Sequence, residues 1–154
     1  MFEIGVKLWS TNTGGCMNDV RRLCAEGSCD YLELYAVPGT LDTLPQWQAL
    51  GVPTVIHAPH FKHGFNLAQR ESAQLNRVLY DETRRFADAL GARYIIFHGG
   101  TFGCITETAR QLAALQEPRA LIENKPAITH NDGCTLACRG ATVAEIEHVL
   151  TETG

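Results

Sequence analysis

The alternation of strand and helix patterns is clearest in residues 53–98, which read PTVIHAPHFKHGFNLAQRESAQLNRVLYDETRRFADALGARYIIFH. Two short apolar runs, at 53–58 and 93–98, are typical of strands in a parallel sheet that is covered on both faces. Between them, apolar residues recur at three- and four-residue steps through 71–91, which predicts an amphipathic helix that Gly91 caps at its C-terminus. The predicted buried face of this helix consists of Leu75, Val78, Leu79, Phe86 and Leu90. Residues 53–98 therefore predict one β-α-β unit.

The same alternation continues on both sides of this unit. Further strands are predicted at 3–9, 31–35 and 119–123. Two further helices are predicted at 19–27 and at 44–51, the second with Asp42 as its N-cap. A third has its apolar face at Ile105, Ala109, Leu112 and Leu115 and ends before Pro118. The last begins with a capping box at Thr142–Glu145. Five βα units with right-handed crossovers favour an open doubly wound sheet or a barrel. The sequence contains no Gly-x-Gly-x-x-Gly motif after the first strand and no Walker loop, which disfavours a nucleotide-binding open sheet.

The length of the chain limits how far such a sheet can close. The chain has 154 residues, the usual size of one domain, whereas a complete eight-unit barrel typically needs about 250 residues. We therefore predict a single domain over residues 1–154 that is either an open sheet or a fragment of a longer protein. An open array of five strands has unpaired edges, through which we expect self-association.

Composition and charge exclude several classes of protein. The chain is 45% hydrophobic and 19% charged, as globular proteins are, and its net charge of −4 gives no electrostatic reason to expect nucleic-acid binding. The sequence contains no run of about 18 apolar residues, so it predicts no membrane span. Because the N-terminus lacks a signal-peptide pattern, we expect a cytoplasmic location and six reduced cysteines. Neither Cys24 and Cys29 nor Cys134 and Cys138 have the spacing of a structural zinc site.

Three of the predicted strands finish on a residue that can bind a metal ion. These residues are His57 in VIHAP, His98 in IIFHGG and Glu123 in LIENK. Since the carboxyl ends of parallel strands share one face, and neighbouring strands lie about 4.8 Å apart, we expect the three side chains to converge. Two imidazoles and a carboxylate suit zinc, or a mixed zinc and manganese site in which Glu123 bridges two ions.

Each of these residues also has a structural interpretation. A histidine at a strand end is often a hydrogen-bonded packing residue, and Glu123 can instead form an ion pair with Lys125. Glu33 in YLELY is an additional candidate for the site, although we expect it to pair with Lys7 of the first strand. His60 and His63 follow the third strand, where we expect a loop that faces solvent or substrate.

With these motifs in place, the chain resembles the xylose isomerase-like TIM barrel superfamily, and specifically its endonuclease IV branch (AP endonuclease family 2). The resemblance is carried by IHAPHFKHGFNLA after the third strand, IIFHGG at the fourth and LIEN at the fifth, with IGVKLW and YLELY in support. It implies a parallel (β/α) barrel of TIM type, here an incomplete one of about five βα units. On this resemblance we expect the chain to cover the first five-eighths of the family's barrel, without its C-terminal units.

The resemblance also implies a set of metal ligands. It makes His57 and His98 zinc ligands and Glu123 a bridge between metal ions, with Asn124 of the EN motif supporting them. Zinc, or manganese, is the implied cofactor, with more than one ion in the complete barrel. The family's later ligands, on the sixth to eighth strands, have no counterpart in this sequence.

Two local departures from the family concern the motifs themselves. Gly99 stands where the family prefers proline. About three extra residues separate HAP from FNL, which makes His60 an alternative to His57 as the third-strand ligand.

Three functional hypotheses follow. The first is a metal-dependent phosphoesterase that acts on abasic DNA, as the family does, or on a small sugar phosphate. The second is a sugar isomerase or epimerase of the xylose isomerase-like type, in which Glu123 binds one metal ion. The third is an inactive fragment of a longer enzyme.

Overall fold

The computed structural model describes residues 2–154. Its strands are β1 (Gly5–Trp9), β2 (Tyr31–Tyr35), β3 (Thr54–His57), β4 (Ile95–His98), β5 (Ala120–Glu123), β6 (Ile128–Asn131) and β7 (Cys134–Ala137). Its α-helices are α1 (Gly15–Ala25), α2 (Leu44–Leu50), α3 (Ala73–Ala89), α4 (Ile105–Leu115) and α5 (Val143–Thr153). Short 3₁₀ turns occupy Leu41–Thr43, Phe61–His63 and Arg70–Ser72. Within the described residues, no helix is long and apolar enough to cross a membrane.

The strands β1 to β5 form one parallel sheet in the order β1-β2-β3-β4-β5. Each strand except the last is followed by a helix before the next strand of the sheet begins, as the βα alternation of the sequence predicts. Register places Lys7 opposite Glu33 in the β1–β2 pair, and Tyr35 opposite His57 in the β2–β3 pair. The predicted α/β fold with five parallel strands is confirmed.

The chain divides into two compact units, each with its own core. One unit comprises residues 2–59 and 80–95, and the other comprises residues 60–79 and 96–154. The core of the first includes Val20, Leu32, Leu34, Tyr35, Ile56 and Phe86. The core of the second includes Phe65, Leu67, Phe97, Ala109, Leu112 and Val149.

The buried face of α3 differs from the predicted one. Leu75 and Val78 are 47% and 55% exposed, so their assignment to the core is wrong. Leu79 and Phe86 are buried as predicted, and the helix also buries Asn76, Tyr80, Thr83 and Ala87. Hydrogen bonding explains this orientation of the helix. The Asn76 amide hydrogen-bonds buried groups of Asn66 and Gln111, so the side of the helix that carries Asn76 faces inward.

The predicted helix caps have different outcomes. Asp42 does not cap α2, because it lies inside a 3₁₀ turn that runs into the helix. Pro45 occupies the first turn of α2, where its lack of an N–H leaves one backbone donor fewer to be satisfied. At α5 the capping box is confirmed: Thr142 Oγ1 accepts a hydrogen bond of 3.2 Å from the Glu145 backbone N–H. The Glu145 carboxylate reaches back one residue further, to the Ala141 N–H at 2.9 Å.

An antiparallel hairpin between β5 and α5 was not among the predicted elements. Strands β6 and β7 pair antiparallel around a two-residue turn, Asp132-Gly133, in which both residues have positive φ (49° and 78°). An Asp-Gly turn between two alternating segments is a strong hairpin signal, because a type I′ turn needs two residues that tolerate this backbone conformation. The signal was therefore present in the sequence, in the segment ITHNDGCTLA.

Candidate metal centre

His98 and Glu123 are brought into direct contact within the unit of residues 60–79 and 96–154. His98 is the last residue of β4 and Glu123 the last of β5, and the His98 Nε2 lies 3.0 Å from the Glu123 Oε2. The other carboxylate oxygen, Oε1, lies 3.4 Å from the Lys125 ammonium. Glu123 thus has an imidazole on one oxygen and a cation on the other, so the expected pairing with Lys125 is present beside the contact with His98.

His60 stacks on His98 rather than pointing into solvent. The two rings lie 5.3 Å apart between centroids and are nearly parallel, at 6°. The Nδ1 of His60 accepts a hydrogen bond of 3.3 Å from the Lys62 backbone N–H, which starts the 3₁₀ turn Phe61–His63. His63, at the end of that turn, is exposed. The loop predicted after the third strand is therefore ordered locally by His60.

A pocket of about 200 Å³ opens beside this stack. Within the described residues its lining includes Lys62 and Lys125 but no carboxylate side chain, so its charge suits an anionic ligand. Part of the lining comes from the hairpin that sequence reasoning missed, through Thr129, His130 and Asn131. The apolar part of the lining comes mainly from Phe61 and Phe65.

A buried amide network holds the segment after β4 in place. The Asn66 side chain donates to the Thr101 carbonyl at 2.9 Å, and its oxygen accepts from the Thr101 N–H at 3.0 Å. Asn76 donates to the Asn66 carbonyl at 2.9 Å and to Gln111 Oε1 at 2.7 Å, and its own oxygen accepts from the Asn66 N–H at 2.8 Å. These residues were missed as contributors to the site, although Asn66 lies within the motif HGFNLA.

The glycines after His98 have a specific reason to be glycine. Gly99, which stands where the related motif has proline, packs against the Arg139 carbonyl, and an added Cβ would overlap it. Gly100 has a φ of +96°, which side-chain-bearing residues rarely adopt, and it packs against Asn66 and Ala68. The turn therefore brings the backbone close to its neighbours at two successive positions.

His57 lies in the unit of residues 2–59 and 80–95, at the end of the wholly buried strand β3. Its side chain is buried, its ring lies 5.2 Å from that of Tyr35, and its Nδ1 lies 2.7 Å from the carbonyl oxygen of Ala58. A carbonyl oxygen only accepts hydrogen bonds, so Nδ1 carries a proton, and in the neutral ring Nε2 carries the lone pair.

The two remaining candidates of the sequence analysis are Glu33 and Asn124. Glu33 pairs with Lys7 at 2.7 Å, as the structural interpretation of the sequence predicted. Asn124 directly follows Glu123 and is not buried, and its supporting role stays a prediction.

Comparison with solved structures identifies the fold. The crystal structure of endonuclease IV from Thermus thermophilus matches with a TM-score of 0.66 and 20% identity, and that of a D-tagatose 3-epimerase-like protein with a TM-score of 0.68 and 17% identity. The chain has the α/β fold of parallel strands and helices that these two proteins share. Each match covers 99% of this chain but only 60% of the solved chain, so this chain spans about three-fifths of the length of these two proteins. No family model and no curated protein matches the chain.

Proposed function

We propose that the protein is a metal-dependent enzyme in which His57, His98 and Glu123 hold a divalent metal ion, zinc or manganese. The three residues end three strands that are successive neighbours in one parallel sheet, whose carboxyl ends share one edge. Two imidazoles and one carboxylate are a donor set that zinc accepts, with a position left for water or substrate. The carrying observation is the contact of His98 with Glu123 at 3.0 Å.

The protonation of the two candidate histidines favours His57 over His60 as the third ligand. Histidines that bind metals usually donate their other ring N–H to a carbonyl or carboxylate, which turns the lone pair towards the ion. His57 has this arrangement, since its Nδ1 donates to the Ala58 carbonyl. His60 has the opposite one, because its Nδ1 accepts from the Lys62 N–H and its Nε2 therefore carries the proton in the neutral ring.

The pocket beside His98 supports a small anionic substrate, and we propose a sugar phosphate. Its volume of about 200 Å³ suits a small molecule, and Lys62, Lys125 and His130 lie in its lining where a phosphate group can be bound. The net charge of −4 gives little support to DNA as the substrate. The proposed reaction is the hydrolysis of a phosphate ester.

The roles of the chain's own residues follow from their positions. When bound, a divalent ion supplies Lewis-acid chemistry that makes water a nucleophile near neutral pH and offsets charge on a phosphoryl oxygen. Lys125, which pairs with Glu123, is placed to bind the substrate phosphate as well as to orient that carboxylate. His60 stacks on His98 and keeps its ring orientation.

A sugar isomerase or epimerase is the second candidate. The observation that favours it is the presence of Phe61 and Phe65 in the pocket, because aromatic rings bind the C–H faces of sugars without requiring a phosphate. This reaction predicts exchange of solvent protons into a ketose and no release of phosphate.

Metal analysis together with product analysis tests the proposal. After expression in metal-replete medium, we expect about one or more zinc or manganese ions per chain, and a loss of that metal in Glu123→Gln. His63→Ala is the matched control, since His63 is exposed. Release of inorganic phosphate from sugar phosphates supports hydrolysis, and incorporation of deuterium from solvent into a ketose supports isomerisation. Substantially less than one metal ion per chain contradicts both.

A further inference from the structure

Two cysteines that take no part in the proposed metal centre are in close contact. Cys24 lies at the C-terminal end of α1 and Cys29 lies just before β2, and their Sγ atoms are 2.8 Å apart. This separation is well inside the usual contact distance of two sulfur atoms and approaches the length of a disulfide bond, which is about 2.05 Å. Cys29 is buried and Cys24 is half-buried.

The backbone between the two residues holds them in this position. The N–H groups of Ser28 and Cys29 both donate to the Leu23 carbonyl, at 2.9 and 3.3 Å. The Gly27 N–H donates to the Cys24 carbonyl at 3.1 Å, and Gly27 has the positive φ (70°) of a residue that ends a helix. The turn is thus folded by its own hydrogen bonds, which hold the two cysteines next to each other.

We propose that Cys24 and Cys29 form an intrachain disulfide when the protein meets a small-molecule disulfide such as oxidised glutathione. The thiolate of Cys24, the more accessible of the two, attacks one sulfur of the small disulfide and releases one small thiol. The Cys29 thiol then loses its proton and attacks the Sγ of Cys24 in the resulting mixed disulfide, which releases the second small thiol. The two protein thiols are oxidised, and one small disulfide is reduced to two thiols.

The surroundings of Cys24 make this exchange slow at neutral pH. Burial, followed by the hydrogen bond with Cys29 and the negative charges of Cys29 and Asp30, raises the pKa of the Cys24 thiol to about 11. Because the thiolate is the attacking species, its scarcity at pH 7 lowers the rate. The pair therefore suits a slow response to sustained oxidation rather than a rapid catalytic cycle.

Thiol counting after redox equilibration tests the proposal. The native protein is incubated at pH 8 with an excess of oxidised glutathione, then denatured and alkylated. We expect the number of reactive thiols to fall from six to four, the unalkylated chain to lose about 2 Da, and a cross-linked peptide to join Cys24 and Cys29. Retention of all six thiols, or a cross-link between other cysteines, overturns the proposal.

Single substitutions separate this pair from the other thiols. Cys16→Ser, at an exposed cysteine of α1, is expected to leave the cross-link intact. Cys24→Ser and Cys29→Ser are each expected to abolish the cross-link. Cys29 is buried, so Cys29→Ser can fail to fold; Cys24 is only half-buried, and Cys24→Ser then provides the test. A loss of two thiols in Cys24→Ser would mean that other cysteines are oxidised to a disulfide, which contradicts the assignment.

Discussion

The His98 imidazole and the Glu123 carboxylate meet at 3.0 Å at the ends of two successive strands, with Lys125 on the opposite oxygen of the same carboxylate. The contact joins a histidine and a carboxylate, two residue types that commonly bind metal ions, and both side chains are only partly exposed. In the proposed metal centre these two side chains are neighbouring ligands.

The first prediction concerns the choice between His57 and His60. We expect His57→Ala to lower the affinity for zinc or manganese by at least about 100-fold, because a ligand with its lone pair fixed by the Ala58 carbonyl is removed. We expect His60→Ala to lower this affinity far less, since the Nδ1 lone pair of His60 is used by the Lys62 N–H and only its stacking on His98 is lost. Metal titration by competition with a chelating dye measures both. Equal loss in the two variants, or loss only in His60→Ala, would contradict the assignment.

The second prediction concerns the amide network. Asn76→Leu follows the apolar periodicity of α3, yet we expect it to lower the free energy of unfolding by about 3 kcal/mol, because it removes the partners of buried groups on Asn66 and Gln111. Val78→Asn, at a 55% exposed position of the same helix, is the control and should change stability by less than about 0.5 kcal/mol. Urea unfolding measures both, and a stability of Asn76→Leu equal to that of the parent would refute the interpretation.

The third prediction concerns the glycine that departs from the related motif. Gly99→Pro restores the residue that the family prefers, and we nevertheless expect it to destabilise the protein by about 1–3 kcal/mol, because its ring carbons would overlap the Arg139 carbonyl. Gly15→Ala, in α1 with open space at its Cβ, should have the opposite sign and stabilise by about 0.5 kcal/mol. Thermal unfolding of the two variants decides, and an increase in Tm for Gly99→Pro would contradict the packing argument.

The fourth prediction concerns the dependence of stability on pH. The hydrogen bond with Arg110, and then that with Gln111, lowers the pKa of the Glu107 carboxyl below its usual range. A carboxyl whose pKa is lower when folded contributes stability above its unfolded pKa of about 4.3 and loses that contribution as pH falls through the folded pKa. Glu107→Gln should therefore be less stable than the parent at pH 7, and the difference should shrink at the acid end of a urea series. A difference that is constant down to acid pH would contradict the cause.

The fifth prediction concerns association. The strand β5 is the last strand of the sheet, and its Leu121 is 43% exposed, so we propose that copies of the chain pair at this edge. Light scattering should show a molar mass that rises with concentration above the 16.9 kDa of one chain, and Leu121→Lys should reduce that rise. Val143→Lys, at an exposed position of α5, is the control. A molar mass that stays at that of one chain at all concentrations would contradict the proposal.

Much of the fold could be predicted because its signals are local. The strand at 31–35 has the predicted bounds, and the other four lie within their predicted ranges with shorter ends. The capping interaction of Thr142 with Glu145 and the pairing of Lys7 with Glu33 were also expected, since the first depends on a three-residue spacing and the second on the register of adjacent parallel strands.

The failures have physical causes that differ from one another. The predicted inner face of α3 was wrong at Leu75 and Val78. Hydrophobic periodicity counts only apolar residues, so it does not detect a helix that buries an amide side chain to hydrogen-bond other buried groups. The hairpin β6–β7 was missed although Asp132-Gly133 encodes it, because its two four-residue strands carry few apolar residues and give a weak periodic signal beside the long helices.

The sequence by itself determined the class of fold, the succession of strands and helices along the chain and the types of residue at the strand ends, because periodicity, caps and turn residues act over a few positions. Only the tertiary structure decided that Glu123 contacts both His98 and Lys125, that Nδ1 is the protonated nitrogen of His57, and that the thiols of Cys24 and Cys29 touch. These facts depend on where a carbonyl, a ring or a sulfur atom lies in space. Their partners are set by packing and hydrogen-bond geometry, which no spacing along the chain specifies.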